Sequence, residues 1–295
     1  MTVDRWIKEN TSSLSGKTAA ITGATGGIGT AVCKQLAVCG ADLVLLCRSK
    51  SKYNALCSEI QALNPKVKLH FIELDLENNE SVKAAAESLE RQEPDILILC
   101  AGVYAIPKKQ TQSGFDSVFT INFLSQYYLT KLLLKKLSEK HSKVVAVGSI
   151  AHGFSAIDKT DIDFKSRRSA VKVYGNAKKY LMFSLIKLFE NEKNISFSLV
   201  HPGISFTGIT SHYPPLLLKI IKWPMKLIFM NPKKAALNVT AGIFSDCKEG
   251  EWIGPSVFDI WGYPKNKELK YFSATEADFI FKVAEKSICE NNNNT

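Results

Sequence analysis

Several features are scarce or missing in the 295-residue sequence, and each absence excludes a class of protein. No apolar run of about 18 uncharged residues occurs, so no segment is predicted to cross a membrane. The opening MTVDRWIKEN has no apolar core and is not expected to act as a signal peptide. The seven cysteines form no C-x-x-C pair and the five histidines lack metal-ligand spacing, so no metal site is predicted. A reducing, cytoplasmic setting is expected.

The composition is that of a globular protein with a basic surface. Hydrophobic residues make up 45% and charged residues 22% of the chain, and the net charge is +10. The basic residues occur as scattered pairs without an aromatic-interleaved stripe, although such a charge also raises the question of nucleic acid. A solvated basic surface is therefore favoured, and no nucleic-acid partner is predicted.

Short apolar runs alternate with longer segments of helical character. Continuous apolarity indicates strands covered on both faces, and the repeated strand–helix order predicts a parallel sheet with helices on both faces. The expected architecture is a single-domain, doubly wound α/β fold of the Rossmann type over residues 1–290, with a disordered tail at 291–295. A last helix is predicted over 273–287, with Ser273 and Glu276 as its capping box. The predicted strands are 17–22, 41–47, 66–72, 95–100, 143–149 and 195–200, and the other predicted helices are 28–39, 50–63, 79–91, 112–137 and 170–191.

A glycine-rich loop follows the first predicted strand. The sequence TGATGGIG (22–29) has the spacing G-x-x-x-G-x-G. Glycines let the backbone turn sharply and approach a pyrophosphate, where the next helix presents its amides. A plain tight turn is the alternative, but the position between an apolar strand and a helix favours dinucleotide binding. The contacts predicted from this loop are Gly23, Thr25, Gly26, Gly27, Ile28 and Gly29.

The end of the second strand indicates which dinucleotide binds. In NAD-binding folds an acidic residue at this point holds the ribose 2′-hydroxyl. Here the strand ends in LLCRSK, which offers Cys47 and Arg48 and no carboxylate. A guanidinium suits a 2′-phosphate, so NADP is predicted as the cofactor, with a surface arginine at a helix start as the alternative.

Tyr174 and Lys178 lie four residues apart in a predicted helix, so they share one face. A solvated pair with no function is the alternative interpretation. In combination with other motifs, the pair resembles that of the short-chain dehydrogenases/reductases over residues 16–265. SIAHGF (149–154), DIDF (161–164) and HPGISFT (201–207) are most similar to the retinol dehydrogenase and WW-domain oxidoreductase members. The motifs occur in the family order: Gly23-x-x-x-Gly27-x-Gly29, Cys100-Ala101-Gly102, Asn122, Ser149, Tyr174-x-x-x-Lys178 and Pro202-Gly203.

The resemblance implies roles for four catalytic residues. Tyr174 exchanges a proton with the oxygen of a carbonyl or alcohol, and the neighbouring Lys178 and an oxidised nicotinamide are expected to lower the pKa of its phenol. Lys178 also holds the nicotinamide ribose, Ser149 hydrogen-bonds the reacting oxygen, and Asn122 holds a water in the proton relay. The resemblance assigns further cofactor contacts to Asp75, Leu76, Ala101, Gly102, Pro202, Gly203, Ser205 and Thr207.

The predicted function is an NADP-dependent oxidoreductase that moves a hydride between nicotinamide and a carbonyl or alcohol carbon. A cofactor-binding sensor or scaffold without turnover and a sugar-nucleotide epimerase are the alternatives. The intact catalytic set argues against the first, and the glycine spacing against the second. A substrate lid is expected at about 208–231, and its apolar character indicates a retinoid, lipid aldehyde or ketosteroid.

Two segments suggest further contacts. Residues 119–137 and 173–189 are apolar around nearly the whole helical circumference, which predicts a homodimer or contact with neighbouring helices of the same chain. Residues 213–230 combine apolar side chains with Lys219, Lys222 and Lys226. This segment either folds onto the protein as an ordinary lid or also rests on an anionic membrane surface.

Overall fold

The computed structural model describes residues 1–204, 230–248 and 250–293. The predicted lid at 208–231 and the lysine-containing segment at 213–230 therefore lie almost entirely outside the described residues. The strands are β1 (Thr18–Thr22), β2 (Asp42–Cys47), β3 (Leu69–Glu73), β4 (Ile96–Leu99), β5 (Lys143–Val147), β6 (Ser196–Val200), β7 (Glu251–Val257) and β8 (Trp261–Glu268). The helices are α1 (Val3–Asn10), α2 (Gly27–Val38), α3 (Lys50–Leu63), α4 (Asn79–Glu90), α5 (Ser117–Phe119), α6 (Ser125–Glu139), α7 (Ala170–Phe189), α8 (Pro232–Phe244) and α9 (Ala274–Asn293).

The strands named above form one sheet in the order β3-β2-β1-β4-β5-β6-β7-β8. All neighbouring pairs are parallel except β7 and β8, which are antiparallel. The chain moves outward from β1 to β3 and then returns to the other side of β1 with β4. In doubly wound folds this reversal opens a crevice at the carboxyl ends of the strands. The predicted α/β fold class is confirmed.

The side chains of β2 show why the predicted strands are continuously apolar. Leu43 and Leu45 pack into one buried cluster, and the alternating Val44 and Leu46 pack into another on the opposite face. The first cluster includes residues of α1, α2, α3 and α8, while the second includes residues of α4, α6, α7 and α9. Because both faces are covered by helices, neither set of alternating positions needs to be polar.

The last helix, α9, packs against α7 and α6. The Lys179 amine lies 3.1 Å from a carboxylate oxygen of Glu276, and the Tyr127 hydroxyl donates to the Glu285 carboxylate at 2.5 Å. The buried apolar residues Ile280 and Ala284 belong to the cluster that contains the α7 core. Much of the surplus apolar surface of α6 and α7 therefore has a partner within the chain.

The start of α9 contains half of the predicted capping box. The Glu276 amide donates to the Ser273 hydroxyl at 3.4 Å, while the Glu276 carboxylate pairs with Lys179. The helix continues to Asn293, three residues into the segment expected to be disordered; residues 294 and 295 lie outside the described part. A helix with the length and apolarity that a bilayer crossing needs does not occur in the part of the chain that the structure describes.

Candidate active site

The glycine-rich loop joins β1 to α2 at the reversal of the strand order. Gly23 has a φ of +66°, and a Cβ there would lie 2.8 Å from the Ala101 Cα atom. A Cβ on Gly29 would lie 2.3 Å from the Gly23 carbonyl oxygen. Gly26 stands at the N-cap of α2 without a side-chain cap, so the first amides of the helix are directed towards the cleft. Glycine is therefore required at 23 and 29 for close backbone packing.

The cleft beside this loop has a volume of about 800 Å³. It runs along the edge of the sheet at which the central parallel strands have their carboxyl ends. Most of the predicted site residues line it, namely Gly23, Thr25, Gly26, Gly27, Ile28, Gly29, Arg48, Asp75, Leu76, Ala101, Gly102, Ser149, Tyr174, Lys178, Pro202 and Gly203. Asn122 is fully buried directly behind it, while Ser205 and Thr207 lie outside the described residues.

One end of the cleft is cationic. Arg48 follows β2 directly and is exposed, and Lys52 lines the same end from the first turn of α3. The Ser49 hydroxyl caps α3 by accepting from the Lys52 amide at 3.3 Å, which keeps this turn regular. Asp75 and Leu76 follow β3 nearby; the Leu76 carbonyl accepts from the Ser125 hydroxyl at 2.6 Å. The geometry suits a phosphate-bearing ribose next to a base.

Two buried polar side chains hold the end of β4 against β1. The Thr22 hydroxyl accepts from the Cys100 and Ala101 amides at 3.0 and 3.1 Å. Gln126 accepts from Thr22 at 3.2 Å, and its amide group donates to the Ala101 and Asn122 carbonyls, each at 3.1 Å. The Cys100 and Ala101 amides and the Ala101 carbonyl thus have side-chain hydrogen-bond partners, and none of these bonds uses the Cys100 side chain. Sequence reasoning missed Gln126, because a glutamine in a helical segment reads as an ordinary surface residue.

Asn122 lies in a π-helical turn (Thr120–Leu124) between α5 and α6. Its amide nitrogen donates to the Val103 and Val118 carbonyls at 2.9 and 2.8 Å, and its side-chain oxygen accepts from the Val103 amide at 3.1 Å. A Cβ on Gly102 would lie 2.8 Å from that oxygen and 3.6 Å from the Lys178 Nζ atom. The backbone at Gly102 therefore passes between the two polar groups.

Ser149, Tyr174 and Lys178 meet at the other end of the cleft. Ser149 follows β5 and begins a 3₁₀ turn (Ile150–Phe154), where its hydroxyl accepts from the Ala151 amide at 3.2 Å. Tyr174 lies in the second turn of α7 and lines the same end of the cleft, with its phenol near the Ser149 side chain. Lys178, one turn further, is buried and donates to the Val147 carbonyl at 2.8 Å. Helix and strand thus bring the three groups together from distant parts of the sequence.

The protein's own groups shift both titrating side chains towards the neutral form. Burial raises the pKa of Tyr174 to about 12, and the hydrogen bond with Ser149 only partly opposes this shift. Burial also lowers the pKa of Lys178 from 10.5 to about 8. The sequence predicted a lowered pKa for the phenol, and the protein groups give the opposite direction. Burial is the largest cause of this direction. The Lys178 amine donates to the Val147 carbonyl and lies 6.0 Å from the centre of the tyrosine ring. The prediction also included the charge of an oxidised nicotinamide.

The cleft next to Tyr174 is lined by residues that the sequence analysis did not select. The Tyr104 ring contacts the Tyr174 ring edge-on, with centroids 5.4 Å apart, and Phe154 and Val171 are exposed at the same end. His201 also lines the cleft; burial lowers its pKa to about 4, so its neutral ring donates from Nε2 to the Asp259 carbonyl. Single apolar residues such as these belong to no spaced motif by which sequence reasoning could select them.

Comparison with known proteins identifies the class. The family model described as short chain dehydrogenase matches residues 17–214, so the chain belongs to the short-chain dehydrogenase family of oxidoreductases. Retinol dehydrogenase 14 from Homo sapiens is 29% identical over 279 residues, which cover 83% of this chain and 82% of the relative. Retinol dehydrogenase 12 from Mus musculus is 34% identical over 203 residues, 67% of this chain and 64% of the relative. The predicted family and its retinol dehydrogenase side are confirmed.

Solved structures share the fold. An uncharacterized protein from Mycobacterium paratuberculosis has a TM-score of 0.74 at 24% identity and covers 95% of this chain and 96% of its own. A short-chain dehydrogenase from Sphingobium yanoikuyae, solved in complex with NADPH, has a TM-score of 0.59 at 23% identity. That match covers 75% of this chain and 81% of the other. At these identities the similarity shows the fold alone.

Proposed function

We propose that the chain is an NADP-dependent oxidoreductase that transfers a hydride between nicotinamide and the carbonyl or alcohol carbon of an apolar substrate. The proposal is carried by one observation: the Tyr174, Ser149 and Lys178 side chains converge at one end of a cleft whose other end carries a glycine-rich loop and Arg48. When bound, the cofactor supplies or accepts the hydride.

The residues of the cleft fit a dinucleotide. Glycines stand where a Cβ would strike neighbouring backbone, and the N-terminus of α2 is available for a pyrophosphate. Arg48 and Lys52 suit a 2′-phosphate, which favours NADP over NAD. Two of the structural neighbours, the Sphingobium yanoikuyae enzyme and an alcohol dehydrogenase from Thermococcus sibiricus, carry NADPH or an NADP derivative.

In this proposal the chain's own residues manage the proton. The Tyr174 hydroxyl donates to the substrate oxygen during reduction and accepts the proton back during oxidation. Ser149 holds the same oxygen by a hydrogen bond, which keeps it within reach of the phenol. Lys178 binds the ribose and contributes positive charge that favours the phenolate, and Asn122 holds a water behind it. A positively charged nicotinamide nearby opposes the effect of burial on the phenol.

The substrate class follows from the residues around Tyr174. Tyr104, Phe154 and Val171 offer apolar surface to a molecule that approaches the phenol. Relatives named retinol dehydrogenases support a hydrophobic alcohol or aldehyde, such as a retinoid, a lipid aldehyde or a ketosteroid. A single carbonyl group on a largely apolar body is the chemistry that this end of the cleft accommodates best.

The test is NADPH consumption by the purified chain with a panel of apolar and polar carbonyl compounds. Turnover of apolar aldehydes or ketones, with weaker turnover of polar ones, is expected. Tight NADPH binding without turnover of any compound would instead favour a cofactor sensor or scaffold. NADH consumption that exceeds NADPH consumption would contradict the interpretation of Arg48.

Assembly and location are separate proposals that rest on the sequence. A homodimer through α6 and α7 stays a prediction, and the packing of α9 favours the alternative of contacts within the chain. A cytoplasmic location with contact between residues 213–230 and an anionic membrane also stays a prediction, because that segment lies outside the described residues apart from Met230.

A further inference from the structure

His152 occupies an unusual position next to the catalytic serine. It lies in the 3₁₀ turn that Ser149 begins, and only 2% of its surface is exposed. Its Nδ1 atom is 2.7 Å from the Ser149 carbonyl oxygen, and its Nε2 atom is 2.9 Å from the Lys270 carbonyl oxygen. Lys270 lies between β8 and α9, so one side chain joins the catalytic turn to a segment 118 residues away in the sequence.

The ring is held in place by aromatic side chains on several sides. The ring centroids of Trp252, Phe183 and Tyr271 lie 5.7, 6.2 and 6.4 Å from that of His152, all in edge-on arrangements. A Cβ on the neighbouring Gly153 would lie 2.7 Å from the Tyr271 ring, so the turn and the C-terminal segment are in direct contact. The imidazole therefore cannot turn away from the two carbonyls without disturbing this packing.

Both partners of the ring are hydrogen-bond acceptors only. A carbonyl oxygen offers no hydrogen, so the ring nitrogen must carry it; a neutral imidazole has one N–H and donates to only one of the two carbonyls, whereas an imidazolium donates to both. The shorter contact is the one with Ser149, whose backbone direction determines where its hydroxyl points. Ser149 has extended dihedral angles (φ −154°, ψ 144°) immediately before a tight turn. The His152 backbone amide donates to the same carbonyl at 3.2 Å, and the shorter ring contact is a second bond that helps to hold the residue in that conformation.

We propose that His152 is a positioning residue for Ser149. It donates from Nδ1 to the Ser149 carbonyl, and in the imidazolium form it also donates from Nε2 to the Lys270 carbonyl, which ties the serine to the C-terminal segment. The segment between β8 and α9 thus supports the reacting groups, although neither Lys270 nor Tyr271 lines the cleft. This inference rests on the proposed role of Ser149 in holding the substrate oxygen.

Three substitutions separate the two contacts. Asparagine places its amide nitrogen as many bonds from Cα as the histidine Nδ1, so His152→Asn can keep the hydrogen bond to Ser149 and loses the contact with Lys270. Glutamine matches Nε2 in the same way, so His152→Gln keeps the Lys270 contact only. His152→Phe keeps the aromatic packing and loses both hydrogen bonds. His70 is exposed on β3 and does not line the cleft, so His70→Phe is the control for a change from histidine to phenylalanine.

The first measurement is steady-state turnover of a carbonyl that the wild type reduces. We expect His152→Asn to stay within about threefold of the wild-type kcat, while His152→Gln and His152→Phe lose about tenfold or more with KM for NADPH unchanged. His70→Phe should keep the wild-type kcat and KM. Wild-type kcat in the His152→Phe variant overturns the inference, and so does an equal loss in all three variants together with an equal fall in Tm.

The second measurement does not need activity. The Ala151 amide donates to the Ser149 hydroxyl, so its hydrogen exchange reports on the order of the turn. Exchange at Ala151 should accelerate in the Gln and Phe variants and not in the Asn variant, with the strands of the sheet unchanged. If the wild type binds NADPH but reduces no carbonyl, the proposed function fails while this measurement still decides the role of His152. Unchanged exchange in His152→Phe contradicts the inference.

Discussion

Arg48 is exposed at the cationic end of the cleft, where a ribose phosphate is proposed to bind. The Arg48→Asp variant removes a donor of paired hydrogen bonds and adds a negative charge. The dissociation constant for NADPH should rise by about tenfold or more, while that for NADH changes little. Arg91→Asp, an equal change of charge at an exposed site at the end of α4, is the control and should alter neither constant. If Arg48→Asp raises the dissociation constants for NADPH and NADH equally, the arginine does not recognise the ribose phosphate.

Lys178 links stability to pH. Burial lowers its pKa to about 8 in the folded protein, against 10.5 in the unfolded chain, so the unfolded chain binds more protons between these values. The contribution of Lys178 to the free energy of unfolding is therefore smallest below about pH 8 and rises as the pH increases. Compared with that of Lys178→Met, the free energy of unfolding of the wild type should rise by up to about 1.4 kcal/mol per pH unit between about pH 8 and 10.

Urea unfolding of both proteins at several pH values measures this difference. The raised pKa values of buried thiols and phenols, such as Cys100 and Tyr174, destabilise the fold at higher pH. Those groups are present in both proteins, so most of their effect cancels in the comparison. A difference that does not change with pH would mean that Lys178 titrates normally in the folded chain.

At the residue scale, sequence reasoning identified the groups that belong to a spaced motif. The glycine loop, Tyr174, Lys178 and Ser149 line one cleft as expected. It could not identify Gln126 as a support, because the role of this side chain depends on the Ala101 carbonyl at the end of β4. The lowered pKa predicted for Tyr174 stays a prediction, because it included the charge of an oxidised nicotinamide; burial within the protein alone acts in the opposite direction.

At the scale of elements, α9 belongs to the core. Ile280 is fully buried in the cluster that also contains the α7 side chains, whereas Lys282 on the same helix is exposed. Ile280→Ala should lower the free energy of unfolding by about 2–4 kcal/mol through loss of burial and the cavity that remains. Lys282→Ala should change it by less than about 0.5 kcal/mol. Denaturant unfolding measures both, and an Ile280→Ala variant as stable as the wild type would show that α9 is not part of the cooperative unit.

The predicted strands are mostly buried on both faces, where a continuous apolar run is required; the edge strand β3 is the exception. β7 and β8 were missed for physical reasons. The sequence of β8, WGYPKNKE, forms the exposed edge of the sheet and contains Pro264 and two lysines, so it shows neither continuous nor alternating apolarity. The sequence of β7, EWIGPSV, is apolar mainly in its first half. Pro255 also argues against a strand, because proline is rare in strand interiors. α1, with 8 residues, and α8, with 13, were also missed; both flank the motif-bearing region.

At the scale of the whole molecule, the state of assembly is open to a direct test. The apolar character of residues 119–137 and 173–189 predicts a homodimer, while α9 supplies these helices with partners from the same chain. Light scattering at micromolar concentration should give twice the 32.7 kDa of one chain if the dimer forms. A mass of one chain would mean that contacts within the chain, including those with α9, cover these helices and that no second subunit does.

The turnover of the Tyr174→Phe variant tests the proposed proton transfer most directly. Phenylalanine keeps the ring and its contact with Tyr104 and removes only the hydroxyl. With an apolar carbonyl that the wild type reduces, kcat should fall by on the order of 10² or more, while the dissociation constant for NADPH stays the same. Tyr104→Phe, which removes a phenol from the same end of the cleft, should retain most of the activity. Near-normal turnover by Tyr174→Phe would contradict the assignment of this phenol as the proton donor.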